Sequence, residues 1–126
     1  SPGFSVVGTW FTGTTAPGRY GSDYRWANAA PKSADVASWY LDAPATGEYD
    51  VYAWWSQGTN RSTGATYTVE HSKGTATWVT NQQTNGGQWN LIGRYRLGKG
   101  GGFVRLRSTG TSGVCIADAV RIVGPY

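Results

Sequence analysis

Tyr49-Asp50-Val51-Tyr52-Ala53-Trp54-Trp55 is the stretch that decides the fold. Its side chains sort by alternation, with Tyr49, Val51, Ala53 and Trp55 on one face and Asp50, Tyr52, Trp54 and Ser56 on the other. Period-two alternation is the mark of a half-buried strand. The first set is the better core, because the second would bury Asp50 and Ser56. Tyr52 and Trp54 then point outward or lie under a loop, and an outward Trp54 offers a flat ring for stacking.

The same alternation recurs outward from this strand in both directions. Strands are expected at about 4–11, 34–41, 48–56, 65–70, 75–81, 89–97, 103–107 and 114–123, separated by Gly-rich turns. The one helical candidate, Arg25 to Asp35, is broken by Pro31 and has no sustained apolar stripe. About eight short strands in one chain point to an all-β class, an antiparallel β-sandwich. At 126 residues the chain fits a single module spanning 1–126 and is long enough to bury a core without staples.

Two hairpins are expected. His71-Ser72-Lys73-Gly74 joins one pair of strands, and the glycine-rich run Gly98 to Gly102 joins another. If the second pairs Leu97 with Gly102, Arg94 lies opposite Arg105, and Arg94, Arg96, Arg105 and Arg107 gather on one outer face. Like charges across a ladder are unfavourable. Such a face needs interleaved acids, with Glu70 or Asp118 as the suppliers, or an anionic ligand.

Composition narrows the function. The chain holds 7 Trp and 8 Tyr, 39% hydrophobic and only 14% charged residues, which argues against intrinsic disorder. The net charge of +4 favours an anionic partner, yet no two of the 11 Lys and Arg are adjacent, so a nucleic-acid interface is not expected. No apolar run reaches membrane-spanning length. Cys115 is the sole cysteine, His71 the sole histidine, and no Gly-x-Ser-x-Gly elbow occurs, so no catalytic centre is expected. No transition-metal site is expected either, and a structural calcium at Asp23 or Asp118 is the open cofactor question. Ser1 in place of Met suggests a processed protein or an excised domain.

Two polar loops carry the binding expectation. Residues 57–64 follow the Trp-rich strand, and residues 81–88 are nearly all amide, Thr and glycine. Amides offer paired donors and acceptors that suit sugar hydroxyls. Candidate ligand-binding residues are therefore Tyr24, Trp26, Trp54 and Trp78 for ring stacking, with Arg61, Asn81, Gln82, Gln83 and Asn85 for hydroxyls or carboxylates.

An ordered set of blocks also resembles a known family. It comprises Gly21-Ser22-Asp23-Tyr24-Arg25-Trp26-Ala27, Gly47 to Trp55 followed by Asn60-Arg61, Tyr67-Thr68-Val69, Asn81-Gln82-Gln83, Gly87 to Gly93, and Val114 to Arg121. In this order, over about Phe4 to Val123, they resemble the golvesin C-terminal-like domain attached to xanthan lyases and other secreted hydrolases. The resemblance implies a secreted, jelly-roll-like accessory domain with no catalytic residues to carry over. It implies a non-catalytic module that binds polysaccharide beside a catalytic domain of the same polypeptide. The charge favours an acidic polymer. The alternative is a docking domain that packs on a catalytic domain or partner protein without binding sugar. Asp23 and Asp118 are then structural, and Cys115 fills a small apolar core position.

Overall fold

The computed structural model describes residues 4–7, 10–13, 24–27, 36–107 and 113–126. They form eleven strands and no helix, so none is long and apolar enough to cross a membrane. One sheet has the order β1 (Phe4–Val7), β4 (Val36–Tyr40), β9 (Phe103–Arg107), β6 (Ala65–His71), β7 (Gly74–Thr80). A second runs β11 (Ala119–Val123), β5 (Gly47–Trp54), β8 (Asn90–Leu97). A third runs β10 (Cys115–Ala117), β3 (Tyr24–Ala27), β2 (Phe11–Gly13). All pairings between these strands are antiparallel.

The inward face of β5 is the one the alternation selects. Tyr49, Val51, Ala53 and Trp55 are buried, while Asp50, Tyr52 and Trp54 are half-buried on the other side. Trp55 meets Tyr67 of the opposing sheet at 6.4 Å, and Trp39 stacks on Tyr67 at 6.5 Å. Val69, Val104 and Leu106 fill in behind them, and Cys115, Ile116 and Ala117 close the same core from the third sheet. Trp78 lies half-buried against Trp55 and Tyr67 at 6.1 and 5.7 Å, so its ring is part of the core wall. Tyr67 is fully buried, and that burial pushes its phenol well above the ordinary value of 10.0.

Eleven strands replace the expected eight for three physical reasons. The 4–11 stretch is two strands that serve different sheets. The 114–123 stretch divides at Asp118, where the chain passes from β3 to β5 as partner. β3 falls in the stretch whose period gave no strand signal.

The glycine-rich hairpin is a correction. β8 pairs with β5, whereas β9 lies between β4 and β6, so Gly98 to Gly102 carries the chain from one sheet to the other. Arg94 therefore never faces Arg105. Arg94 takes Asp50 in a two-point ion pair, 2.8 and 3.2 Å, and Arg105 pairs with Glu70. Cross-strand acids thus interleave both arginines. A bulge at β5–β8, between Val51 and Tyr52, also shifts the face of β8. Ile92 is buried there, and Leu91 is 53% exposed. The His71–Gly74 hairpin forms as expected, with His71 opposite Gly74.

Candidate functional site

The two polar loops meet at one end of the sandwich. Gln82 is fully buried between them. Its Nε2 donates to the Tyr67 hydroxyl at 3.0 Å and to Ile116 O at 2.9 Å, while Oε1 accepts from Ile116 N at 2.8 Å. Its backbone N donates to Ser62 O at 2.8 Å. Both amide hydrogens are spent inside the protein, so Gln82 ties β6, β10 and the 57–64 loop together and presents no group at the surface.

Gln83 continues the stitching. Its Nε2 donates to Thr59 O at 3.1 Å and Arg61 O at 3.0 Å. Asn81 Oδ1 accepts from Gln83 N at 2.9 Å, an Asx turn. Trp55 Nε1 donates to Thr84 O at 2.9 Å, and Gly86 N donates to Gln57 Oε1 at 2.9 Å. The backbones touch at Gly86, where a Cβ would sit 2.4 Å from Gln57 N. Asn85 is exposed with a positive φ of 59°. The amides that read as sugar donors are thus largely the fasteners of the loops.

Arg61 is the residue these fasteners hold in place. It is half-buried and forms a parallel bridge with Val114. Its Nε donates to Ser56 O at 3.2 Å, Nη2 to Ser56 Oγ at 3.3 Å, and Nη1 to Asn60 Oδ1 at 2.5 Å. Three of five guanidinium hydrogens are used, which leaves two on a planar group already locked in orientation. No carboxylate partner of Arg61 occurs among the described residues. Asn60, Arg61, Tyr24, Val114 and Ile116 line a cleft of about 220 Å³. Tyr24 is 8% exposed and its ring lies across Gly13, where a Cβ would fall 2.3 Å from the ring. Only glycine leaves room for that close approach. The cleft thus joins an aromatic wall, an apolar floor and a fixed cation. It is smaller than the roughly 300–1,000 Å³ of sites for drug-sized ligands.

The expected residues therefore separate. Tyr24 and Arg61 meet at this cleft, with Gln83 behind Arg61. Trp26 lies in β3 opposite Phe11 and Ile116, and its side chain is outside the described residues. Trp54 sits on the outer face of the β11-β5-β8 sheet, edge-on to Trp89 at 5.3 Å and 72°. Trp78 is in the core wall. Asn60 is not among the expected ligand residues, although the Asn60-Arg61 block was the available signal. Asp23 lies outside the described residues. Asp118 is half-buried at the β10–β11 junction, and among the described residues no three or more His, Cys, Asp or Glu come together so as to hold a metal ion.

A second cleft, of about 270 Å³, lies beside the β6–β7 turn, lined by Glu70, His71, Ser72, Leu97, Gly98 and Phe103 among others. His71 stacks on Tyr95 at 5.0 Å and accepts from Lys73 N at 3.3 Å. Glu70 is engaged by Arg105. His71 accordingly serves the turn.

With this geometry in view, the relatives are informative. The chain is 34% identical over 127 residues to xanthan lyase of Bacillus sp. (strain GL1), covering 98% of this chain and 14% of the lyase. The structure of Paenibacillus xanthan lyase matches at 40% identity and a TM-score of 0.93, over 98% of this chain and 12% of the other. This chain therefore spans about one-seventh of the lyase it matches in sequence. A Xyl-CBM35 module, solved in complex with a glucuronic acid-containing disaccharide, matches at a TM-score of 0.68 and 22% identity, over 98% and 88%. That likeness shows the shared jelly-roll-like sandwich. The model of the Golvesin C-terminal domain matches residues 1–124, and the chain belongs to that family.

Proposed function

We propose that this chain is a non-catalytic carbohydrate-binding module of a secreted polysaccharide-degrading enzyme. It binds through the cleft at Tyr24, Asn60 and Arg61. The observation that carries this reading is the preorganised Arg61 guanidinium, with two free hydrogens beside an aromatic ring. Rigid donors next to an apolar wall match the alternation of hydroxyl edge and C–H face on a pyranose. The kinship to two xanthan lyases supports a setting beside a catalytic domain in a longer polypeptide. The net charge of +4 supports a polymer that carries acid groups.

The test is isothermal titration of the chain with xanthan and with neutral xylan at two salt concentrations. Arg61→Ala and Tyr24→Ala should each weaken binding, about tenfold for Arg61 if a charged hydrogen bond is lost. Binding to none of these polymers, or wild-type affinity in Arg61→Ala, counts against the cleft. Complete absence of polysaccharide binding would favour the docking-domain alternative.

A further inference from the structure

The outer face of the β11-β5-β8 sheet holds a second cation in an unusual setting. Arg121 is exposed and lies opposite Tyr52 in the β5–β11 register. Its guanidinium carbon is 5.0 Å from the Tyr52 ring centroid and 4.6 Å from that of Trp89. Two aromatic contacts hold in place a group that is usually mobile. Among the described residues no carboxylate pairs with it and no acceptor takes its N–H groups, so its charge and its donor fork face outward. Arg94, on the same face, is neutralised by Asp50. Trp54 stands edge-on to Trp89. Tyr52 and Trp89 thus serve the arginine, and with Trp54 at 72° to Trp89 the rings do not build a coplanar platform for sugar rings.

We infer that Arg121, held by Tyr52 and Trp89, is a carboxylate-reading site for acidic sugar units, separate from the Arg61 cleft. A guanidinium fork donates two parallel hydrogen bonds to a carboxylate, which a hydroxyl cannot match. Trp54, and Leu91 opposite Tyr52 on the far side of β5, supply apolar surface on the same face for the carbohydrate body. The inference rests on the carbohydrate-binding reading and assigns the acid preference to one side chain. It makes the module two-point: the cleft grips a ring, and the sheet face selects for charge. Two such points on one polymer strengthen each other through effective concentration.

The experiment compares xanthan with carboxyl-reduced xanthan by isothermal titration at about 0.15 M salt, where long-range attraction is screened. Arg121→Gln should weaken xanthan binding about tenfold and leave the carboxyl-reduced polymer unchanged. Arg121→Lys should recover only part of the loss, because the charge returns without the fork. Arg61→Ala should weaken both polymers alike. The inference falls if Arg121→Gln binds xanthan as the wild type does, or loses both polymers equally. It also falls if polyglutamate competes as well as xanthan, which would make the site an acidic-peptide surface. Loss confined to Arg61→Ala would overturn Arg121 and leave the cleft reading standing. No binding of either polymer by the wild type overturns both. Thermal unfolding of each variant controls for folding, and the exposed position of Arg121 favours intact variants.

Discussion

Gln82 and Asp50 illustrate how little a residue's type says about its use. An amide in a run of Asn, Gln and Gly reads as a surface hydrogen-bonder, because nothing local distinguishes Gln82 from Gln83. Its burial depends on Tyr67, 15 positions upstream, and Ile116, 34 downstream, partners that no local pattern can reveal. Replacing Gln82 by Leu should cost about 2–4 kcal/mol, since the Tyr67 hydroxyl and both backbone groups of Ile116 lose their partner. Urea unfolding measures this, and polysaccharide affinity should fall as well, because Ile116, which Gln82 holds, lines the Arg61 cleft. Asp50 makes a different prediction. Its hydrogen bonds from Arg94, reinforced by the charge, hold its carboxyl below the ordinary value of 3.8. A depressed value in the folded state means that the stabilisation is present above the unfolded value and is lost as pH falls through the folded one. The pair's contribution should be constant between pH 5 and 7 and fade below about pH 4. Asp50→Asn should flatten that acid limb in melting-temperature profiles.

Elements were more legible than residues. The Gly47–Trp54 strand and its buried face follow from alternation alone, as does the Ser72-Lys73 turn with Gly74 after it. What alternation cannot show is a change of sheet within an apolar run, and this is why β10 and β11 read as one strand. Nor can it show whether two strands joined by a short glycine loop pair with each other. The Arg61 cleft was half legible, through its loops and the Asn60-Arg61 pair, while the Gln82 and Gln83 ties needed the fold. Gly86→Ala tests whether those loops act as one unit. The new Cβ would meet the backbone N of Gln57, so residues 57–64 and 81–88 must separate. Backbone cannot yield as a flexible side chain can. Polysaccharide affinity should fall along with the melting temperature, although Gly86 itself lines neither site.

The whole molecule leaves one long boundary unguarded among the described strands. β7 pairs only with β6, and its seven residues carry no charge and no proline. Sheet edges of this kind are templates for further strands. Concentrated samples should therefore aggregate on heating, and Thr77→Lys, at an exposed position of β7, should raise the onset temperature seen by light scattering while leaving sugar binding intact. The passage from β8 to β9 has another consequence. Because each of these strands is zipped to other partners, the covalent link through Gly98 to Gly102 holds neither ladder in register. The segment beyond it gives one strand to each of the three sheets, β9 as an interior strand, β10 and β11 as borders. In effect the last quarter of the chain is a key with three teeth, and two pieces cut at the glycine run should find each other again when mixed.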